Sequence, residues 1–430
     1  MRLINVTSLD IEEFFGDDIP EYAILSHTWG PQEVTLQEWS RRQEPSVSSK
    51  AGCQKILSAC RLASAHDLKY VWIDTNCIDK TSSAELSEAI NSMFDWYRDA
   101  QICFVHLQDI IFDPDSAVST TNLTELFQSS RWFSRGWTLQ ELLAPKCLRF
   151  YDKNWTHITD KKLCLEALSV VTSIPIPILQ SQVNIRGAST AQRMSWLSRR
   201  KTTRREDMAY CMFGIFGVNL PLLYGEGHKA FTRLQEELIR SSYDHTIFCW
   251  EWPEQIVRPE WIPVFAPCAA AFANSAKYIQ RPSTGVGKVP AEYSLSNVGL
   301  RIQLPVLCSS PVTCYAILNV YMQGMGMETC VAIPLRQPTT IWTSETIFWR
   351  TTHPNGPVIL PYEWAGPELD LRLAKPGMFP ADLGYSNDGL LTLHRRGVDY
   401  WPRIPHSKFA LLTLERLGAG FPIQPPCTRC

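Results

Sequence analysis

Apolar residues follow two rhythms over the first 155 positions of this chain. Tyr22–Leu25, Tyr70–Ile73, Ile102–Val105 and Cys147–Tyr151 are short, nearly continuous runs of aromatic, aliphatic and cysteine side chains. Strands buried on both faces read this way. Between them the spacing lengthens. Cys53, Ile56, Leu57, Cys60 and Ala63 recur at helical intervals over 51–66, and Leu86, Ile90, Met93, Phe94 and Tyr97 do so over 83–99. Short strands alternating with helices of this length predict βαβ units, a mostly parallel sheet and right-handed crossovers. Shorter helices are expected at Thr121–Ser129 and from about Trp137.

The rhythm changes downstream. Residues 156–245 read as helical. Thr203-Arg204-Arg205-Glu206 has the capping-box pattern and places a helix start near Arg204. The apolar stretch Ala209–Tyr224 is broken by Gly214, Gly217, Asn219 and Pro221, so it reads as helix, turn and helix rather than a membrane span. Ala230, Phe231, Leu234, Leu238 and Ile239 give a last helix ending near Ser241. Beyond about 245 prolines become frequent and short strand-like runs take over: Thr246–Trp250, Tyr293–Leu295, Leu300–Leu304, Tyr315–Tyr321, Thr329–Ile333 and Thr346–Trp349. These predict a β-rich module. The expected organisation is an α/β core over 1–155, a helical part over 156–245 and the β-rich module over 246–430.

Composition narrows the class. The chain has 430 residues, enough for two or three domains, and a formal net charge of −2. No global field draws it to nucleic acid or to an anionic membrane, and neither is expected as a partner. Asn5, Asp10, Glu12 and Glu13 interrupt the N-terminus, so it lacks the apolar core of a secretion signal. The 14 cysteines sit mostly inside apolar segments, as reduced, buried thiols do. A cytoplasmic protein is expected. The close pair Cys427 and Cys430 has no second pair at zinc-ligand spacing, and no metal is expected.

Each predicted strand is followed by a polar cluster: Ser26-His27-Thr28-Trp29-Gly30, then Asp74-Thr75-Asn76-Cys77-Ile78-Asp79, then His106. In an open parallel sheet ligands bind beyond the carboxyl ends of the strands. Glu141 lies one turn into the helix expected from Trp137, where a carboxylate can be aimed at a ligand on that edge or can serve the helix dipole and Arg135. His27 reads equally as a catalytic group or a hydrogen-bonded core residue. Trp29 reads as a stacking surface or a plug of the sheet end. Asp74 suits ribose hydroxyls or a local cap. Cys77 with His27 would make a thiol–imidazole pair if the two touch, and His27, Asp74 and Asp79 have no diagnostic metal spacing. The basic run Arg199, Arg200, Lys201, Arg204 and Arg205 reads as a phosphate holder or a solvated face. Gly225-Glu226-Gly227 lacks the lysine of a P-loop, and no G-x-G-x-x-G follows a strand, which disfavours a conventional NTPase or Rossmann dehydrogenase.

Three of these segments carry a resemblance. Tyr22–Gly30, Tyr70–Asp79 and Ser134–Pro145 resemble the successive motifs of the fungal heterokaryon incompatibility (HET) domain. Thr202–Tyr210 and Pro221–Gly227 resemble the segment that commonly follows it, so the likeness spans about residues 20 to 245. That family is linked to non-self recognition and regulated cell death. It has been related to the Toll/interleukin-1 receptor (TIR) fold, a flavodoxin-like sheet, and Trp137-Thr138-Leu139-Gln140-Glu141-Leu142 resembles the W-C-L-x-E-L helix start of plant TIR domains, with Thr138 in place of the cysteine. The resemblance implies NAD(P) cleavage at the nicotinamide–ribose bond, with Glu141 catalytic and Ser26, His27, Trp29, Gly30, Asp74 and Trp137 around the substrate. NAD would be substrate, not cofactor. Homo-oligomers, or HET or NLR-type proteins, are the partners implied. Two other functions fit the same residues: a non-catalytic adaptor that self-assembles, and an accessory enzyme of secondary metabolism acting on another small molecule.

Overall fold

In the computed structural model, the residues described are 1–374 without 115–118, 255, 257–260, 283–292, 298, 309–312, 326–328, 337–346, 352–355 and 362–367. The Cys427–Cys430 pair and the start of the run at Thr346 lie outside them. Two units emerge, one of residues 1–187 with 199–230, the other of 188–198 with the chain from 231 onward. The stretch 156–245 is therefore shared between them.

The first unit is built on a seven-stranded sheet. Its strands are β1 (Arg2–Asn5), β2 (Ile11–Glu13), β3 (Ala23–His27), β4 (Tyr70–Trp72), β5 (Ile102–His106), β6 (Leu148–Tyr151) and β7 (His157–Asp160), in spatial order β2-β1-β4-β3-β5-β6-β7. The four inner strands are parallel, and β1, β2 and β7 add antiparallel edges. This is the expected α/β class. The antiparallel edges escape sequence reading because β1 and β2 are short and half-exposed.

Helices connect the parallel strands. In chain order they are α1 (Leu36–Trp39), α2 (Pro45–Ser48), α3 (Ala51–Ala65), α4 (Ser83–Asp99), α5 (Thr120–Ser129) and α6 (Thr138–Leu143). Most of the predicted stripes are buried, Cys53, Ile56, Cys60 and Ala63 on α3 and Ile90, Met93 and Tyr97 on α4, while Leu57, Leu86 and Phe94 are half-buried. Ser82 caps α4 by accepting the Glu85 N–H, and Ser119 caps α5 in the same way through Asn122.

From β3 the chain moves to β4 on one side, then crosses back to β5 on the other. In chain order the parallel strands therefore stand 2-1-3-4, the flavodoxin-like arrangement. The order reverses between β3 and β5, whose carboxyl ends carry His27 and His106 as register partners. A doubly wound sheet opens its ligand crevice at such a reversal, because the flanking connections leave on opposite faces.

Two expectations in the helical stretch are corrected. The helix predicted from Arg204 begins only at Asp207. Glu206 does not close a capping box. Its carboxylate instead accepts the N–H groups of Gly225 and Gly227, each at 2.9 Å. The stretch after it forms two four-residue helices, Asp207–Tyr210 and Phe213–Phe216, the second ended by Gly217 in the left-handed region at φ 72°.

The second unit is β-rich. Its larger sheet runs in the order Val358–Pro361, Thr329–Arg336, Thr313–Leu318, Gly299–Cys308, Glu368–Ala374, Ile347–Thr351 and Trp261–Ile262, with Tyr293–Leu295 beside Gly299–Cys308. Leu335 and Arg336 also pair with Arg350 and Trp349, which closes five of these strands on themselves. Leu307, Tyr315, Ile317, Cys330, Ala332, Val358 and Leu360 form an apolar cluster within it. One predicted strand is overturned. Thr246–Trp250 holds a 3-10 turn, His245–Phe248, because the Asp244 carboxylate captures the Thr246 N–H and hydroxyl at 2.9 and 2.7 Å.

Candidate functional site

Glu141 is the fourth residue of the six-residue helix α6 and is buried, 7% exposed. The Ser26 hydroxyl, on β3, donates to its Oε2. Trp132, wholly buried just ahead of α6, donates its indole N–H to Ser26 Oγ at 2.8 Å. Thus a strand end, a 3-10 turn (Arg131–Ser134) and a helix meet at one carboxyl group. Burial pushes the Glu141 carboxyl up to about 8, with the Asp74 charge adding to the rise and the Ser26 hydrogen bond, Arg135 and Arg200 opposing it. A carboxyl group held near neutrality in this way is typical of a working acid or base.

Beside it, the ends of β3 and β4 bring a second set together. The imidazole of His27 is almost fully enclosed. Its Nε2 stands 3.8 Å from Glu33 Oε2 and 3.7 Å from Asp74 Oδ1, too far for a hydrogen bond. Both ring nitrogens and Glu33 Oε2 lack a hydrogen-bond partner among the described residues. Burial, reinforced by the charge of Lys55, holds His27 neutral, far below the usual imidazole range. Such buried, unpartnered polar atoms are costly in a finished core and are expected where a ligand or water completes the set.

The other Glu33 oxygen is fully used. Oε1 accepts the Gly30 N–H at 2.7 Å and Lys55 Nζ at 2.5 Å. This pins the loop after β3 to α3, where Gly52 lets Gln32 approach: a Cβ there would stand 2.5 Å from the Gln32 carbonyl oxygen. Trp29 projects from that loop, 46% exposed, and its indole N–H donates to Asp74 Oδ2 at 2.7 Å. Lys80 Nζ sits 3.7 Å from the centre of the same ring. Burial raises the Asp74 carboxyl, and Lys80 and the Trp29 hydrogen bond oppose the rise.

Of the residues singled out from sequence, Ser26 and Glu141 touch directly, and His27, Trp29, Gly30 and Asp74 form the adjoining set. Trp137 is half-buried just ahead of α6, and its side chain faces Asp207, which accepts from the Tyr224 hydroxyl at 3.0 Å. Cys77 does not bond His27. Its sulfur accepts the Ile73 N–H at 3.4 Å, and burial pushes the thiol up to about 12. The thiol–imidazole pair that would have favoured a different chemistry is absent.

His106 stacks on Trp155 with ring centres 4.3 Å apart, and its Nε2 lies 3.3 Å from the Lys153 carbonyl oxygen. Asp79 binds Thr81 and Gln37 instead of converging with His27. Among the described residues no group of His, Cys, Asp and Glu side chains is arranged to hold a metal ion, and no helix is long and apolar enough to cross a membrane.

Sequence reading missed Trp132, Glu33, Lys55 and Lys80, and Arg200 of the basic run is no solvated face: it is buried and bonds Thr138. Glu33 had a faint signal, an acid three residues past a strand-end glycine. Lys55 lies on the otherwise apolar face of α3, a cation where burial is expected.

Comparison with known proteins bears out the family resemblance. Residues 22–117 match the model of the family described as heterokaryon incompatibility protein (HET). The vegetative incompatibility protein HET-E-1 of Podospora anserina is 46% identical over 221 residues, which cover 51% of this chain and 16% of that protein. The chain therefore aligns with about a sixth of its relative's length. No solved structure matches it.

Proposed function

This chain carries a heterokaryon incompatibility domain, and we propose that the domain is a TIR-like NAD(P) glycohydrolase whose activity promotes regulated cell death in non-self recognition. The observation that carries the reading is the Ser26–Glu141 hydrogen bond at the reversal point of a 2-1-3-4 sheet. It puts a buried carboxyl group where a doubly wound sheet holds its ligand.

The chemistry asks little more. Breaking the nicotinamide–ribose bond with water gives nicotinamide, ADP-ribose and a proton. Positive charge develops on the ribose as the neutral nicotinamide leaves, as it does in glycoside cleavage. An ionised Glu141 beside that ribose stabilises the charge, in a setting where little water competes. The cationic pyridinium of the bound substrate favours the ionised carboxylate, so substrate binding and loss of the Glu141 proton are coupled. Ser26 fixes the carboxylate's orientation. His27 and Asp74 offer hydrogen bonds to sugar hydroxyls, and Trp29 offers a ring face.

The test is release of nicotinamide from NAD by the purified chain at high concentration, with a crowding agent to promote assembly. Release by the wild type, and at least a hundredfold less by Glu141→Gln, supports the reading. Unchanged NAD under those conditions, or a variant as fast as the wild type, overturns it. Fungal toxicity that survives Glu141→Gln would instead identify a non-catalytic adaptor.

A further inference from the structure

The helix that carries Glu141 is held at each end by a buried cation, and the two grips differ. At its start, Arg200 Nη1 donates to the Arg135 carbonyl at 2.9 Å and to Thr138 Oγ1 at 2.8 Å. At its end, Lys161 Nζ donates to the Leu142 carbonyl at 2.8 Å, with the Pro145 carbonyl at 3.4 Å. Arg200 is 5% and Lys161 5% exposed.

The Arg200 grip leads to the site. Thr138 Oγ1 lies within hydrogen-bond distance of two carbonyls, 2.5 Å from that of Trp132 and 2.9 Å from that of Arg135. Trp132 in turn donates its indole N–H to Ser26, and Ser26 donates to Glu141. One buried chain of contacts therefore joins the Arg200 guanidinium to the Glu141 carboxyl through Thr138, Trp132 and Ser26. A second guanidinium nitrogen, Nη2, is buried with no hydrogen-bond partner among the described residues. No carboxylate forms an ion pair with Arg200 among the described residues, and its charge acts on Glu141. Lys161 instead faces the thiols of Cys103 and Cys164.

We infer that Arg200 is a positioning residue for Glu141: it fixes the first turn of the helix through Thr138 and, from a buried position, adds to the positive charge that Arg135 also brings to the carboxylate. This rests on the reading of Glu141 as the working carboxyl group. The groups that face Glu141 are Ser26, Asp74, Tyr97, Cys103, Arg135 and Arg200. Of the two cations among them, Arg200 is the buried one, so little solvent screens it.

The experiment reads the Glu141 proton directly. The carboxyl stretch that distinguishes wild type from Glu141→Gln in infrared difference spectra is titrated in the full chain, with folding checked by circular dichroism. Arg200→Met is expected to move the midpoint up by about one pH unit, a tenfold change in proton affinity. Arg200→Lys restores at least half of that shift. Lys161→Met removes a buried cation from the same helix and leaves the midpoint where it is. Equal shifts from Lys161→Met and Arg200→Met would mean that loosening the helix is the whole effect, and would overturn the inference. So would a midpoint unmoved by Arg200→Met. If Arg200→Met does not fold, Arg200→Lys decides: a midpoint within about half a unit of wild type supports the inference, and a larger rise overturns it. No NAD is present, so a wild type that leaves NAD intact bears on the proposed activity alone.

Discussion

Ser26 and Glu141 are 115 positions apart in the chain and share a buried hydrogen bond. One is the penultimate residue of an inner strand, the other sits on a six-residue helix. Burial at this contact makes Glu141 a carboxyl group that holds its proton to about 8 even though the Ser26 hydrogen bond opposes the rise, and this sets its contribution to the pH behaviour of the fold.

The unfolded chain ionises Glu141 near 4.5, the folded chain near 8. Between these values the folded state binds more protons, so the contribution of Glu141 to stability falls as pH rises through the window. Urea unfolding of wild type and Glu141→Gln should show a difference that changes by up to about 1.4 kcal/mol per pH unit there, and is flat below it. A difference independent of pH would show that Glu141 is not held in this way.

His106 has the opposite sign. Burial lowers it from 6.5 to about 4. The unfolded state then takes the extra proton between those values, and stability is lost as pH falls through them. His106→Phe keeps the stack on Trp155 and removes the titration. Wild type should lose about 3 kcal/mol at most relative to this variant between pH 6.5 and 4, measured by denaturant midpoints.

Trp132 and Ser26 should be energetically coupled, because the indole N–H has the Ser26 hydroxyl as its acceptor at 2.8 Å. Trp132→Phe is expected to cost about 2 kcal/mol through the lost bond and a small void. A double-mutant cycle with Ser26→Ala should return a coupling of about 1 kcal/mol. Strict additivity would contradict the geometry.

Gly52→Ala should displace the loop that carries Trp29 and Glu33, since the new methyl would stand 2.5 Å from the Gln32 carbonyl oxygen and 2.9 Å from Glu33 Cα. Neither backbone atom can rotate away. A loss of about 1–3 kcal/mol is expected in thermal unfolding, with weaker binding of NAD in the same variant.

Trp29→Ala separates a pocket wall from a structural plug. The ring is 46% exposed, so the stability change should stay within about 1 kcal/mol. The KM for NAD should rise at least fivefold with a smaller change in kcat. A large loss of stability with an unchanged KM would assign the ring to packing.

The inner strands and the longer helices were legible because burial on both faces leaves uninterrupted apolar runs, and burial on one face leaves a stripe at helical spacing. Cys53, Ile56 and Cys60 on α3 behave this way. The strand expected at Thr246–Trp250 failed for a local reason: Asp244 offers its carboxylate to the Thr246 N–H, and that side-chain bond outcompetes a ladder. The helix expected at Arg204 failed for a distant one, because Glu206 is engaged by the glycine N–H groups some twenty positions on.

By itself, then, the sequence determined the α/β class and the polar clusters at the strand ends, since these follow from residue type and local spacing; the choice of Glu141 and Ser26 drew on the family resemblance as well. Only the tertiary structure decided which of them touch. Trp137 turned to Asp207, and Cys77 stayed with Ile73. Trp132 joined the site from a position with no local signature, Glu33 from one with a faint signal, and Arg200 from a basic run that reads as a phosphate holder or a solvated face. The physical reason is burial. The strength of a charge or a hydrogen bond depends on the solvent and partners around it, and those are set by segments far apart in the chain.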